Sequence, residues 1–279
     1  MIKDKIIEFA FWEQAEVKEW KEINYPWKPD SKELREIDKV LSSLEISSRV
    51  ALLGSTPEIR KLAARKKIKL DVIDFSEKMY IEMDKICKSK NNESFIKSDW
   101  IKYFSGVNDN YDLVIGDLIE RLLPKNEVIL LSRALKNALK QNGRVLLRSD
   151  YYISKLSSEK DDLSREVNRL KRMKLKDGEI VDWLFFYLST NFKNKVNLVL
   201  LKKIRDFLEV VLVGNKVVGN NNVIQKFIKK WTYSPLNFYC RSVEDIESIW
   251  KRNFNVDAKI ERQLFEGRLM ALRLWRRKE

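Results

Sequence analysis

The chain has 279 residues, 44% hydrophobic and 34% charged, a composition that predicts one elaborated globular domain with a buried core. It contains two cysteines and no histidine, which argues against a disulfide framework or a zinc knuckle and removes imidazole as a general base. The formal net charge is +14, but the basic residues are spread along the chain, so we interpret them mainly as a solvated basic surface.

The sequence predicts neither export from the cell nor insertion into a membrane. Acidic residues interrupt the amino terminus where a signal peptide needs an uninterrupted apolar stretch. The most apolar later run, 183–188, is far shorter than the ~20 residues that cross a bilayer. We therefore expect a cytoplasmic protein without a membrane partner.

Residues 1–45 are predicted to form an N-terminal helical cap. Apolar residues at helical spacing indicate two helices, separated by a turn rich in proline and aromatic residues. Most aromatic side chains here are expected to pack against the main core. Tyr25 and Trp27, in the turn itself, are the candidates for contact with a substrate.

Residues 46–150 alternate short apolar runs with amphipathic helical segments, which predicts an α/β fold with a doubly wound, mostly parallel sheet. Residues 151–232 interrupt this rhythm with long, charged segments and are predicted to be a helical insertion, a lid over the substrate. Residues 233–279 are expected to complete the core sheet with one helix and an antiparallel hairpin. The predicted strands are 50–53, 70–73, 111–115, 144–147, 254–264 and 268–275.

The turn after the first predicted strand contains one glycine, Gly54, where a dinucleotide site would contain several. Thr56 is placed as a helix N-cap, with Pro57 and Glu58 in the first helical turn. A carboxylate at that position competes with a bound phosphate but tolerates a cation. The turn therefore favours a cationic adenosine cofactor without a phosphate.

Two aspartates follow at positions suited to the rest of an adenosine. Asp74 stands at the carboxyl end of the second strand, from which a carboxylate can accept both ribose hydroxyls. The alternative for Asp74 is a helix cap or a turn. Asp99, between Ser98 and Trp100, precedes the next core strand and is a candidate acceptor for an adenine amino group, with a surface loop as the alternative.

Taken in order, these motifs resemble the class I S-adenosylmethionine-dependent methyltransferases. They lie at 53–58, 72–79, 98–100, 111–117 and 139–147. The resemblance implies S-adenosylmethionine as the cofactor, bound by the ends of several strands and the turns that follow them. The implied cofactor-binding residues are Leu53, Gly54, Ser55 and Thr56 at the methionine, Asp74 at the ribose, Phe75, Met79, Ser98, Asp99 and Trp100 around the adenine, and Gly116 and Asp117 at the methyl group. Ser76, next to this set, is also implied to bind the cofactor.

The resemblance implies transfer of a methyl group. The N-terminal helices and the insertion at 151–232 could cover the site, which favours a small-molecule acceptor, and no recognisable carboxylate cluster indicates a metal. Such a transfer depends mainly on holding the acceptor against the methyl group, and the candidate base for a hydroxyl acceptor is Asp117, or a lysine or tyrosine from the insertion. One alternative is an RNA methyltransferase, motivated by basic clusters at 171–176 and 276–278. Another is a binding protein that kept the fold and lost turnover, motivated by the missing glycines. The acceptor and the oligomeric state are not predicted.

Overall fold

The computed structural model describes residues 20–21, 25–87, 92–152, 241–265 and 268–279, together with Arg169, Arg172 and Tyr239. Nearly all of the predicted insertion at 151–232, and the first predicted helix of the cap, lie outside the described residues. Among the residues that are described, no helix is long and apolar enough to cross a membrane. The domain boundaries and the cytoplasmic location stay predictions.

Helices and strands alternate through the described chain. In chain order they are α1 Ser31–Ser42, β1 Arg49–Leu53, α2 Pro57–Arg65, β2 Lys69–Asp74, α3 Glu77–Cys87, β3 Glu93–Lys97, α4 Trp100–Phe104, β4 Tyr111–Asp117, a 3-10 turn Ile119–Arg121, α5 Lys125–Ala138, β5 Leu139–Tyr152, α6 Val243–Trp250, β6 Phe254–Phe265 and β7 Arg268–Arg277.

The seven strands form one sheet in the order β3-β2-β1-β4-β5-β7-β6. The first five strands are parallel to one another, and β7 pairs antiparallel with both β5 and β6. The predicted fold, a doubly wound and mostly parallel sheet that ends in an antiparallel hairpin, is confirmed. The carboxyl ends of β1, β2, β4 and β5 therefore meet at one edge.

Two local predictions were wrong. β3 was not predicted, because this edge strand is only partly buried and lacks a continuous apolar run. Residues 127–140 have a sequence typical of a helix, and Asn142 and Gly143 suit its C-cap, but α5 ends at Ala138. The residues that follow join the sheet instead, since Leu139 pairs with Tyr111 of β4.

Apolar side chains fill both faces of the sheet. One face packs against α5 and α6, with Trp250 and Trp275 in its core, and the other packs against α1 and α2. Successive strand residues alternate between the faces, and Leu146 of β5 belongs to the α1 side. Arg148 and Asp150 consequently extend on that same side, toward α1 and the residues that precede it.

Candidate cofactor and acceptor site

Gly54 turns the chain at the carboxyl end of β1. Its φ of +87° lies in the region that glycine adopts without steric cost, and its N–H donates to the carbonyl of Ile73 at 2.9 Å. The indole of Trp100 donates to the same carbonyl at 2.8 Å, with Cζ2 4.0 Å from where a Gly54 Cβ would lie. The predicted cofactor turn and the predicted adenine-side tryptophan are thus neighbours. Leu53, just before the turn, is buried in the core.

Asp74 ends β2 and its side chain is buried beside that turn. Its carboxylate accepts hydrogen bonds from Ser55 Oγ at 2.8 Å and from the Ser76 N–H at 3.0 Å. Burial raises the pKa of Asp74 to about 6, although the hydrogen bonds from Ser76 and Ser55 oppose the shift. A buried carboxylate in this state gains from further hydroxyl donors, which is what a ribose offers. Its role as a ribose ligand stays a prediction.

The predicted adenine-side residues cluster at the carboxyl ends of β2 and β3. The N–H of Ser98 donates to the carbonyl of Asp74 at 3.1 Å. The Asp99 side chain caps α4 by accepting from the Lys102 N–H at 3.0 Å, so part of its hydrogen-bonding capacity serves the helix. Phe75 is half-buried and Met79 is buried in the first turns of α3.

Gly116, near the end of β4, is closely packed. A Cβ at this position would lie 2.8 Å from Ile119 Cδ1 and 3.0 Å from Leu147 Cδ2, so these side chains would have to shift to admit it. The glycine lets the turn after β4 lie directly on β5. The structure therefore explains why a glycine stands here without assigning it a cofactor contact.

Asp117 ends β4, and each of its carboxylate oxygens contacts a protein group. Its Oδ1 is 2.8 Å from Arg148 Nη1, and its Oδ2 accepts from Thr56 Oγ1 at 3.1 Å. Thr56 does occupy the N-cap position of α2, but its hydroxyl makes this contact and no cap hydrogen bond. Each oxygen thus has one protein partner and keeps a second lone pair, and the role of Asp117 as base stays a prediction.

Arg148 is the centre of a buried network that the sequence did not reveal. Its side chain is 1% exposed, pairs with Asp117 and with Glu33 Oε2 at 2.7 Å, and donates to the carbonyls of Pro26 and Lys28. Burial alone would lower the pKa of Arg148, but the two carboxylates raise it above its usual value. The arginine thus remains charged and ties residues 26–33 to the end of β4.

The aromatic residues of the predicted cap lie against arginines at this edge. The Tyr25 ring centroid is 5.9 Å from Arg148 and 4.8 Å from Arg262, measured to the guanidinium carbon. The Trp27 ring lies 5.0 Å from the guanidinium carbon of Arg121. The structure therefore places both predicted substrate-contact residues at the carboxyl edge of the sheet.

Arg121 and Asp150 form a second buried ion pair at this edge. Arg121 Nη1 is 3.0 Å from Asp150 Oδ2, and the two side chains are 2% and 0% exposed. Neither residue was predicted from the sequence to belong to the site. The run at 144–150 could have indicated Asp150, because there an apolar strand continues into charged residues that alternate with small or apolar ones.

Glu120 stabilises the 3-10 turn that contains Arg121. The buried carboxylate of Glu120 accepts from Tyr151 OH at 2.8 Å and from Trp250 Nε1 at 2.5 Å. Arg241 donates to the backbone carbonyls of Glu120 and Leu123. Contacts from β5, from α6 and from Arg241, two residues before α6, thus fix the conformation of this turn.

The sheet order, with an antiparallel β7 beside β5, is that of the class I S-adenosylmethionine-dependent methyltransferases, and the chain has this fold. No model of a known protein family matches the sequence, and no curated protein resembles it in sequence.

Three solved structures illustrate the likeness. Magnesium protoporphyrin IX methyltransferase (ChlM) from Synechocystis PCC 6803, with S-adenosylhomocysteine bound, is 15% identical, with 99% of this chain and 100% of that chain covered and a TM-score of 0.53. The N-methyltransferase NodS from Bradyrhizobium japonicum WM9, also with S-adenosylhomocysteine, is 11% identical, with coverage of 98% and 100% and a TM-score of 0.50.

The third structure is not named as a methyltransferase. A protein from Rhodobacter sphaeroides, assigned provisionally to the Zn-dependent alcohol dehydrogenases, is 13% identical, with coverage of 97% and 98% and a TM-score of 0.60. A catalytic zinc site is typically built from histidine and cysteine with at most one carboxylate, and this chain has no histidine. Among the described residues, no group of three or more cysteine, aspartate or glutamate side chains is placed to hold a metal. The likeness to this protein concerns the fold.

Proposed function

We propose that the chain is an S-adenosylmethionine-dependent methyltransferase that acts on a small-molecule acceptor. The observation that carries this proposal is the buried hydrogen bond between Ser55 and Asp74 beside the left-handed Gly54 turn, at the carboxyl edge of a methyltransferase-type sheet. In open α/β sheets, ligands bind outside the carboxyl ends of the strands. The bound S-adenosylhomocysteine of NodS and ChlM supports the choice of cofactor.

On this proposal the first half of the sheet binds the cofactor. Gly54, Ser55 and Thr56 lie beside the methionine portion, and Asp74 accepts the ribose hydroxyls. Phe75, Met79, Ser98, Asp99 and Trp100 surround the adenine. The bound cofactor supplies an electrophilic methyl group on a positively charged sulfur, so the protein's task is to position an acceptor and exclude water.

The second half of the site, over the ends of β4 and β5, would receive the acceptor. Tyr25 and Trp27 cover this edge, where the side chains of Arg148 and Asp150 are buried. An acceptor site beside aromatic rings suits a small molecule better than a polymer. The RNA alternative predicts affinity for RNA that falls steeply with added salt, as phosphate contacts require.

Titration calorimetry of the cofactor-free protein with S-adenosylmethionine and S-adenosylhomocysteine tests the proposal. We expect micromolar binding of both, and at least a tenfold loss of affinity in Asp74→Ala, because its contacts to the ribose are removed. Glu77→Ala is the matched control, since Glu77 lies three residues away with an exposed side chain. The absence of binding by the intact protein, or equal affinity in Asp74→Ala, would contradict the proposal.

A further inference from the structure

Asp150 has one carboxylate oxygen that no described residue binds. Its side chain is completely buried, and Oδ2 accepts from Arg121 while Oδ1 has no hydrogen-bond partner in the structure as described. A buried acceptor that lacks a donor costs about 1–3 kcal/mol, and more when it is charged. Such a group calls for a partner from outside the protein, either water, an ion or a ligand, or for a role in a reaction.

The position of Asp150 fits the acceptor side of the proposed site. It lies two residues beyond Arg148 on β5, on the same face of the sheet, and Arg148 is paired with the last residue of β4. The guanidinium that binds Asp150 Oδ2 is also the one covered by the Trp27 ring. Asp150 therefore lies beyond the end of β4, beneath the aromatic residues of the N-terminal segment.

Comparison with Asp117 separates the two carboxylates of this edge. Asp117 uses Oδ1 for Arg148 and Oδ2 for Thr56, whereas Asp150 uses only Oδ2. A carboxylate oxygen has two lone pairs, so Asp117 keeps some accepting capacity, but only Asp150 has an oxygen without any hydrogen-bond partner among the described residues. Of these two aspartates, Asp150 is therefore the one with the greater need of a donor from a ligand.

The local charge also distinguishes this edge from the chain as a whole. The ion pairs described here join four carboxylates to three arginines, although the chain carries a formal net charge of +14. Those pairs are Arg121 with Asp150, Arg148 with Asp117 and Glu33, and Arg262 with Asp30. The excess of carboxylates favours a ligand that is cationic or donates hydrogen bonds over one that is anionic.

We propose that Asp150 binds the methyl acceptor through Oδ1 and accepts its proton, and that the acceptor is an alkyl amine that carries an aromatic ring. The inference rests on the proposed methyltransferase function. A nitrogen with an N–H supplies the missing donor to Oδ1, and the rings of Tyr25 and Trp27 provide the surroundings for an aromatic group. Arg121 is a positioning residue, because it holds the other oxygen of Asp150.

The transfer balances with the groups named. The acceptor binds as its ammonium ion, and one N–H proton moves to Oδ1 of Asp150, which becomes a neutral carboxylic acid still held by Arg121. The nitrogen lone pair freed in this way forms the bond to the methyl carbon, and the carbon–sulfur bond breaks with its electron pair left on sulfur. The products are the protonated N-methylated amine and S-adenosylhomocysteine.

Binding of small probes tests this proposal directly. In the presence of saturating S-adenosylhomocysteine at pH 8, titration calorimetry is performed with benzylamine, benzyl alcohol and benzoate. We expect benzylamine to bind at least tenfold more tightly than either of the others, because it alone is a cation at this pH. This comparison uses the wild-type protein and does not depend on any variant being folded.

The variant Asp150→Asn then identifies the group responsible. The amide can still accept from Arg121, so we expect S-adenosylhomocysteine affinity within threefold of wild type and benzylamine affinity reduced at least tenfold. Asp257→Asn is the control, since Asp257 is an ion-paired aspartate on β6 that contacts Arg276. With labelled S-adenosylmethionine, formation of N-methylbenzylamine should fall at least a hundredfold in Asp150→Asn.

The outcomes separate the two proposals. Failure of the wild-type protein to bind S-adenosylhomocysteine overturns the methyltransferase function itself. If S-adenosylhomocysteine binds normally, three results would overturn the role of Asp150 alone. They are no binding of benzylamine, tighter binding of benzoate than of benzylamine, and equal benzylamine affinity in Asp150→Asn and wild type.

Discussion

Arg148 and Asp117 form a buried ion pair, with Nη1 2.8 Å from Oδ1, where β5 and β4 run side by side. Arg148 also donates to the carbonyls of Pro26 and Lys28, while Asp117 accepts from Thr56 in the proposed cofactor turn. One guanidinium therefore connects the segment that covers the site to the turn that would hold the cofactor.

Replacement of Arg148 by methionine should destabilise the protein strongly. The change leaves Asp117 and Glu33 buried without their cation, and loss of one member of a buried pair costs about 3–5 kcal/mol. Urea denaturation measures the effect. Arg144→Met on the same strand is the control, because Arg144 makes only an exposed hydrogen bond to Ser43. Similar losses in the two variants would show that the network contributes little.

The stability of the cofactor-free protein should depend on Asp74 in a defined pH range. Burial raises its folded-state pKa from 3.8 to about 6, so between these values the unfolded chain ionises while the folded protein stays protonated. Stability contributed by Asp74 is therefore present below pH 4, falls as pH rises, and is lost above pH 6. We expect Asp74→Asn to gain on the order of 3 kcal/mol relative to wild type between pH 4 and pH 7.5.

Unfolding free energies of wild type and Asp74→Asn, measured in urea at both pH values, give this difference. The other titrating groups are common to the two proteins, so their contributions cancel. A difference that does not change with pH would contradict a raised pKa. The same variant should bind S-adenosylmethionine less tightly, so the residue would lower stability while supporting binding.

Gly54→Ala should weaken both the fold and cofactor binding. An alanine at a φ of +87° is strained by about 1–3 kcal/mol, whatever space its methyl group finds. Gly106→Ala is the control, since a Cβ there would make an ordinary contact of 3.7 Å with the Tyr103 carbonyl. We expect the control to change the unfolding free energy by less than about 0.5 kcal/mol. Equal costs at the two glycines would contradict the turn geometry.

Two arginines on α2 should differ sharply when they are replaced by methionine. Arg60 is completely buried and pairs with Glu93 at 2.5 Å and Asp84 at 2.9 Å, so its loss should cost about 3–5 kcal/mol. Arg65 is 70% exposed and lies 3.8 Å from Asp38, so its loss should cost about 0–1 kcal/mol. Thermal or urea unfolding of both variants measures the contrast, and equal losses would refute the burial argument.

The sequence by itself determined the features that depend on neighbouring residues along the chain, namely the positions of the central strands and of the turns that follow them. Apolar runs separated by amphipathic segments indicated β1, β2, β4 and β5, and they are the buried central strands of the sheet. β3 was missed because a partly buried edge strand lacks that signal. Gly54 and Asp74 could be selected because each stands at the end of a recognisable strand.

Only the tertiary structure decided which polar groups at the carboxyl edge are occupied and which are open. Asp117 and Asp150 are both aspartates near the ends of core strands, yet the first is engaged on both oxygens and the second on one. That difference is made by Thr56, Arg148 and Arg121, which lie 61, 31 and 29 positions away from their partners in sequence. Local sequence patterns set strand and turn positions because backbone conformation responds to near neighbours. Hydrogen-bond occupancy depends on contacts that form only when distant segments meet.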